Sequence, residues 1–224
     1  REIVLLQFLR LKFTFNIFYT HTIPKCYSFK MCKRFIYHLL QGCIRNKCHF
    51  LISLGIYTFT SIYIHDTVEN QGFSVSPLML LYHCNFGYPA VGGQATLQAV
   101  EHKVEGKDEH AAADIANWAK LAEPIPGYAE EVFIHQIPAD ADGLSRIAIV
   151  NPESKLKVTM AYDSKNLPFL NQWKQLGEGE YVIGLEPGNC IPIGQKANAE
   201  RGTLRMIQPG ETVEFKVQIE VEEL

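Results

Sequence analysis

The residues near the C-terminal end of the chain alternate between apolar and polar, and this pattern most constrains the fold. From Val213 to Val221 every second residue is apolar, whereas the residues between them, such as Glu214 and Lys216, are polar. Because neighbouring side chains of a β-strand point to opposite faces, the pattern predicts a strand with one buried and one solvated face. Residues 208–211, Gln-Pro-Gly-Glu, predict a turn before it.

Further β-strands are indicated upstream by short apolar runs that Pro, Gly and Asn interrupt. Residues 146–150 and 155–161 flank the sequence Asn-Pro-Glu-Ser at 151–154, which predicts a hairpin. Residues 76–86 and 180–186 are almost continuously apolar, as in strands covered on both faces. The pattern therefore favours a mainly antiparallel β-sandwich.

One helix is expected within this β protein. Residues 110–123 are rich in alanine, with Asp108 near the start and Pro124 directly after the end. The large apolar residues of this stretch form only a narrow stripe, so we expect a short helical insertion that packs on the sandwich.

The first sixty residues differ in composition from the rest. No alanine occurs before Ala90, and residues 1–60 are crowded with Phe, Ile, Leu, Tyr, Lys and Cys. We expect this N-terminal stretch to be either poorly ordered or not an authentic part of the protein. Since the chain begins with Arg1 and not with Met, we also expect it to be a fragment. The predicted domain boundary lies between residues 1–60 and residues 61–224.

Two other interpretations of the N-terminal stretch are weaker. A zinc site would use its cysteines and histidines, but no pair has the C-x-x-C spacing of structural zinc sites, so free thiols are favoured and no metal is predicted. A membrane span over the uncharged residues 49–64 would need about 20 apolar residues, and the β-branched and aromatic content favours a buried strand. The residues considered for zinc are Cys26, Cys32, Cys43, Cys48, His21, His38 and His49.

The charge of the chain limits its partners. The formal net charge is -3 at pH 7, which gives no electrostatic reason to expect nucleic acid or a membrane surface as partner. No secretory cleavage pattern follows a short apolar segment, so we expect a cytoplasmic protein. The oligomeric state stays open.

A few polar residues lie where strands are predicted to end or to carry a shared face. His83 and Asn85 share one face of their strand, Glu131 and His135 share a face of another, and Glu186 ends an apolar run. Each also has an ordinary structural explanation: a core histidine bonded to a carbonyl, the solvated face of an edge strand, or a solvated glutamate at a strand end.

Four stretches of sequence carry a family resemblance. They are Asp-Thr-Val-Glu-Asn-Gln-Gly (66–72), Leu-Leu-Tyr-His-Cys-Asn-Phe-Gly-Tyr-Pro (80–89), Leu-Pro-Phe-Leu-Asn-Gln-Trp-Lys (167–174) and Tyr-Val-Ile-Gly-Leu-Glu-Pro-Gly-Asn (181–189). In this order they resemble an uncharacterised family related to aldose 1-epimerases, within the galactose mutarotase-like superfamily. The resemblance covers about residues 61–224 and implies a truncated large antiparallel supersandwich.

The resemblance also implies roles for single residues. His83, which is followed by Asn85-Phe86, resembles the general acid of the mutarotases, and Glu186 resembles the general base that closes a late strand. Glu131 and Gln172-Trp173 are similar to ligands of the sugar hydroxyls. The expected sugar-binding residues are Glu131, Gln172, Trp173, Asn85 and His135.

These roles imply an enzyme that interconverts the anomers of a small-molecule sugar without a metal or other cofactor. Glu186 would remove the anomeric hydroxyl proton while His83 protonates the ring oxygen. In the superfamily the N-terminal half supplies an arginine and a further histidine; none of residues 1–60 matches them, so we expect truncation to impair activity. The alternatives are a non-catalytic carbohydrate-binding sandwich and a structural β domain without ligand, in which the candidate residues would not converge.

Overall fold

The computed structural model describes the backbone of residues 15–19 and 48–58 and residues 60–224 in full. These parts of the chain form fourteen strands, two short α-helices and one 3-10 helix. The strands are β1 (Phe15–Tyr19), β2 (Cys48–Thr58), β3 (Ser61–Asn70), β4 (Ser76–Leu78), β5 (Leu80–Phe86), β6 (Thr96–Gln98), β7 (Lys103–Gly106), β8 (Glu131–Gln136), β9 (Leu144–Asn151), β10 (Leu156–Asp163), β11 (Phe169–Gly177), β12 (Glu180–Gly188), β13 (Arg205–Ile207) and β14 (Thr212–Glu223). The helices are α1 (Glu109–Ala113), the 3-10 helix Ile115–Asn117 and α2 (Gln195–Arg201).

Two six-stranded sheets make up the sandwich. The first sheet has the order β1-β5-β12-β11-β8-β7, the second β2-β3-β14-β10-β9-β6, and β13 pairs with β4 in a small separate ribbon. The strand pairs within them are antiparallel. The mainly β, antiparallel sandwich that the sequence predicts is confirmed.

The strand predicted at the C-terminal end lies in the middle of the second sheet. β14 pairs with β3 on one side and with β10 on the other. Its inward residues Val213, Phe215 and Val217 are buried, whereas Glu214 and Lys216 are exposed. The alternation in the sequence therefore corresponds to the buried and solvated faces of the sheet.

The predicted hairpin is also present, as β9 and β10. Leu156 pairs with Asn151 at the closed end of the hairpin. The Asn151 side-chain oxygen accepts hydrogen bonds from the backbone N–H groups of Glu153 and Ser154, which is how Asn stabilises a turn. Lys155 completes the turn with φ 56.

Two stretches that the sequence predicts as single strands are divided. Residues 49–64 belong to β2 and β3, which pair with each other. Residues 76–86 are divided at Met79 because the Asn189 side chain bonds the backbone on both sides of it. Its Oδ1 accepts from Leu80 N at 2.7 Å and its Nδ2 donates to Leu78 O at 2.9 Å.

The helical prediction is only partly correct. The helix expected over residues 110–123 is reduced to the five residues of α1, which Asp108 caps by accepting a hydrogen bond from Ala111 N, and to the 3-10 turn. After the 3-10 turn the chain instead joins β6: Leu97 N donates to Ala119 O at 2.8 Å, and Lys120 forms an isolated β-bridge with Thr96. A second short helix, α2, is not predicted by the sequence; it is capped by Gly202 in the left-handed region with φ 75.

A hydrogen bond joins the two sheets through the core. The Tyr82 hydroxyl of β5 donates to Asp66 Oδ2 of β3 at 2.7 Å, and the two residues are 1% and 0% exposed. Asp66 takes an inward position in line with Ile64 and Val68, where an apolar residue would be expected. Burial raises the pKa of Asp66 to about 6, although the Tyr82 hydrogen bond and His65 act in the opposite direction.

Substitution of Asp66 by Asn tests this buried carboxyl group. Because the folded-state pKa lies above the unfolded value of about 3.9, the folded chain holds a proton that the unfolded chain releases between about pH 4 and pH 6. Between pH 4.5 and pH 7 the wild-type free energy of unfolding should therefore fall, relative to Asp66→Asn, by about 2 kcal/mol. Urea denaturation of both proteins at pH 4.5 and pH 7 measures the change; a constant difference between them would contradict it.

Candidate functional site

A cleft lies on the outer face of the first sheet. Residues such as Cys84 and Leu185 point inward and belong to the core of the sandwich. Because side chains alternate along a strand, the residues next to them in the sequence point outward. The cleft has a volume of about 490 Å³, which is within the range of small-molecule sites. It is lined by Met79, Leu81, His83, Lys107, Glu130, Val132, Trp173, Glu186, Cys190, Ile191, Pro192 and Gly194.

The two predicted catalytic residues meet in this cleft. The register that pairs Leu185 with Cys84 and Gly188 with Leu81 sets Glu186 opposite His83 on neighbouring strands. His83 Nε2 lies 2.8 Å from Glu186 Oε1, and the side chains are 20% and 6% exposed. A carboxylate and an imidazole in such contact can both reach one ligand, where each can donate or accept a proton.

Gly184 makes room for the Glu186 carboxylate. A Cβ atom at Gly184 would lie 2.7 Å from Glu186 Oε1 and 3.1 Å from Trp173 Cβ, closer than packed atoms approach. The glycine that the sequence places two residues before Glu186 is thus a requirement of the site, because any larger side chain there would displace the carboxylate.

Trp173 forms part of the cleft beside the His83–Glu186 pair. Its ring meets the His83 ring edge-on, with 5.8 Å between the centroids. The indole N–H donates to Glu130 Oε2 at 2.7 Å, which fixes the orientation of the ring. Val132 pairs directly with Trp173 and continues the apolar surface.

Asn85, a predicted sugar ligand, shares the outer face with His83 but does not line the cleft. It pairs with Gly184 on β12. Its Oδ1 is buried and has no hydrogen-bond partner within residues 60–224.

Buried asparagines hold the wall of the cleft that follows β12. Asn171 Nδ2 donates to Cys190 O at 3.3 Å. Asn198 of α2 donates to Ile191 O at 2.8 Å and accepts from Ile191 N at 3.1 Å. Neither asparagine is among the predicted site residues, although Asn171 stands two residues before Trp173 and therefore shares its face of the strand.

Three predicted sugar ligands lie on the other face of the sheet. Glu131 pairs with Lys174, and His135 pairs with Leu170, so both point inward together with Gln172. They are 4%, 0% and 0% exposed. The structure does not bring Glu131, Gln172 or His135 to the cleft, because neighbours in a strand, such as Gln172 and Trp173, point to opposite faces.

These inward residues bind the segment after α1 instead. Lys174 Nζ lies 3.2 Å from Glu131 Oε2 and donates to Asn117 O at 3.1 Å. Gln172 Nε2 donates to Trp118 O at 2.8 Å. Two successive inward residues of β11 thus hold two successive carbonyl groups of the insertion, which explains why the predicted helix ends there.

His135 is part of the same inward network. Its Nε2 lies 2.9 Å from Gln172 Oε1, and its Nδ1 lies 2.8 Å from His102 Nε2. The Trp118 ring packs edge-on against it, with 4.9 Å between the centroids. Burial, and secondarily the charge of His102, lowers the pKa of His135 to about 3, so this imidazole is neutral near pH 7.

Comparison with known proteins identifies the family. A family model described as "Domain of unknown function (DUF4432)" matches residues 52–221. The chain belongs to this family. The matched region begins before residue 61 and includes most of β2. No curated protein matches the sequence of the DUF4432 chain.

Solved structures share the fold. A protein of Klebsiella pneumoniae subsp. pneumoniae MGH 78578, provisionally assigned as an aldose 1-epimerase, matches with a TM-score of 0.76 and 22% identity over 82% of this chain and 49% of its own. A galactose mutarotase related enzyme of Lactobacillus acidophilus matches with a TM-score of 0.60 and 11% identity, over 80% of this chain and 62% of its own. A protein of Escherichia coli K12, also provisionally assigned as an aldose 1-epimerase, matches with a TM-score of 0.52 and 17% identity, over 84% of this chain and 64% of its own.

These similarities establish that the DUF4432 chain has the fold of aldose 1-epimerase-like and galactose mutarotase-like proteins. The chain spans about half of the Klebsiella protein's length and less than two thirds of the other two. In residues 60–224 neither helix is long and apolar enough to cross a membrane.

The cysteines and histidines of residues 1–60 are the metal ligands that the N-terminal sequence offers. Those side chains lie outside the described residues. Among the residues whose side chains the structure describes, no three of His, Cys, Asp and Glu are grouped to hold a metal ion.

Substitution of His135 by Gln tests the buried imidazole of the DUF4432 chain. The unfolded histidine takes up a proton below about pH 6.5 whereas the folded one does not until about pH 3. The wild-type free energy of unfolding should therefore fall as pH drops from 6.5, by about 3 kcal/mol at pH 4.5 relative to His135→Gln. Denaturation at pH 7 and pH 4.5 measures it, with the exposed His65→Gln as control. A loss of stability shared equally by wild type and His135→Gln would contradict the assignment.

Proposed function

We propose that the chain is an aldose 1-epimerase-like enzyme that interconverts the anomers of a sugar by acid-base ring opening. The observation that supports this most is the contact of 2.8 Å between His83 Nε2 and Glu186 Oε1 in a cleft of about 490 Å³. The fold shared with aldose 1-epimerase-like proteins is consistent with it, but fold alone does not decide function.

The reaction needs a base at one oxygen and an acid at another, and both oxygens are bonded to the same carbon, C1. The anomeric hydroxyl O1 and the ring oxygen O5 are both bonded to C1, so two groups that touch each other can reach one oxygen each. Glu186 takes the proton of O1, the O1 electrons form a C1=O1 double bond, and the C1–O5 bond breaks as O5 takes a proton from His83. Rotation about C1–C2 and the reverse steps close the ring on the other face, so that nothing is consumed.

The starting state of this scheme is an ion pair. The scheme requires a proton on His83 Nε2 and an ionised Glu186 carboxylate, whose Oε1 lies 2.8 Å from that nitrogen. A bound sugar would insert its O1 and O5 between the two groups and replace their contact. Microscopic reversibility then returns both groups to their starting protonation state after ring closure.

Trp173 supplies the apolar surface that a sugar needs. One face of a pyranose carries mainly C–H groups, which pack against aromatic rings. Glu130 holds the indole N–H at 2.7 Å, so the ring is already oriented before a sugar binds.

We also infer a cytoplasmic location, which the free thiols of Cys84 and Cys190 favour.

Substitution of the proposed acid and base tests the reaction. Glu186→Gln and His83→Ala should each lower the rate of anomer interconversion about 100-fold or more. Polarimetry of freshly dissolved α-D-glucose and α-D-galactose measures the rate, and circular dichroism confirms that the variants fold. The matched control is the exposed pair His65–Glu214, whose Nε2–Oε2 distance is 3.2 Å: His65→Ala and Glu214→Gln should keep the wild-type rate. An unchanged rate in Glu186→Gln would refute the proposed chemistry.

The tryptophans allow sugar binding to be measured apart from catalysis. Trp118 and Trp173 are the two tryptophans of the sequence, so Trp118→Phe leaves Trp173 as the reporter. Its fluorescence should change on addition of the sugar that is interconverted, and Glu186→Gln should still bind. Saturable binding without a rate above buffer would favour the non-catalytic carbohydrate-binding alternative. If no aldose is bound and none is interconverted, both the proposed enzyme and the carbohydrate-binding alternative are refuted.

A further inference from the structure

We propose that the aldose bound in the cleft carries an anionic group at the end remote from its anomeric carbon, and that Lys107 binds this group. The inference rests on the proposed function. It concerns the side of the cleft opposite the His83–Glu186 pair, where Lys107 and Glu130 contribute the charged side chains of the lining.

The strand order sets the distance between the two ends. Glu186 lies on β12, and Lys107 follows β7, which is the third strand away across β11 and β8. Strands are spaced by about 4.8 Å, so the backbones are roughly 14 Å apart. Lys107 N donates to Val132 O at 2.9 Å, which ties the lysine to the row of Val132 and Trp173.

The surface between the two ends is apolar. Trp173 and Val132 pair with each other on adjacent strands and both line the cleft. An aldose ring with C1 at the Glu186 carboxylate would cover the indole, and a substituent on its far end would point along this row toward Lys107. A neutral hexose would leave the ammonium group hydrated and out of contact.

The carboxylates of Glu105 and Glu130 bind groups other than Lys107. The neighbouring cations Lys103 and Arg201 both bind Glu105, each at 2.5 Å. Glu130 accepts the indole N–H of Trp173. Among the side chains that the structure describes, no ion pair includes Lys107, which is exposed at the rim of the cleft.

A cation without a partner at the rim selects for a negatively charged ligand group. Phosphate and carboxylate share this chemistry, because the oxygens of both accept hydrogen bonds from an ammonium group. The Glu186 carboxylate makes an anion at the reactive end unfavourable, so the same charges also set the orientation: the anionic end at Lys107, the anomeric carbon at His83.

Binding of three related sugars tests the proposal. In the Trp118→Phe chain, Trp173 fluorescence gives Kd for D-glucose, D-glucose 6-phosphate and D-glucuronate, and polarimetry gives kcat/KM for each. We expect at least one anionic sugar to exceed glucose about tenfold in affinity and in kcat/KM, and this preference to shrink in 0.5 M NaCl because salt screens the charge. Preference for the phosphate alone or the carboxylate alone identifies the group.

The matched variants are Lys107→Met and Lys103→Met, two lysines of the same strand edge. Lys107→Met should bring the ratio of anionic to neutral sugar close to one, whereas Lys103→Met should keep the wild-type ratio. Equal affinity for all three sugars, or a preference that persists in Lys107→Met, would overturn the proposal. If glucose is converted with dependence on Glu186 but without anionic preference, only this inference fails; if no sugar is bound or converted, the proposed function fails and this inference with it.

Discussion

The register of the first sheet determines which residues can act together. Backbone pairing of β5, β12, β11 and β8 assigns each side chain to one face, and a shift by one residue would exchange the two faces of a strand. His83, Glu186 and Trp173 face outward only because Gly184 pairs with both Asn85 and Trp173. The cleft is therefore a consequence of hydrogen bonds between backbones, made by residues far apart in the sequence.

The inner face of the same sheet shows how the remaining polar residues are used. Lys174 and Glu131 are each about as buried as core leucines, yet they contact each other and the carbonyl of Asn117. A buried ion pair adds little net stability against apolar residues, but loss of one partner is costly. The pair holds the insertion after α1 through Lys174 Nζ, because any other placement of the insertion would deprive this buried ammonium group of its bond to Asn117 O.

The sequence predicts the strands and the meeting of His83 and Glu186, but not which other polar residues are grouped with them. Alternation within a strand reveals two faces, and it correctly describes β14 and the β9–β10 hairpin. It does not reveal which face of one strand continues a given face of another, because that depends on register between distant segments. Glu131 and Gln172, which the resemblance implies as sugar ligands, therefore point to the inner face of the sheet instead. The prediction of a helix over residues 110–123 is only partly correct for a similar reason. Alanine content indicates the local propensity for helix, but the sheet residues Gln172 and Lys174 bind the carbonyl groups of Trp118 and Asn117.

Among the side chains that the structure describes, two His–Glu pairs are in contact, and they differ in burial. His65 and Glu214 lie 3.2 Å apart on the solvated face of the second sheet, with 47% and 57% of their side chains exposed, where a salt bridge contributes little. His83 and Glu186 make the same contact at 20% and 6% exposure, in a wall that Gly184, Asn171 and Asn198 shape around them. Removing a carboxylate from water costs more than a single contact returns. Stability alone would thus not select this pair, which is consistent with the roles proposed for both groups in the cleft.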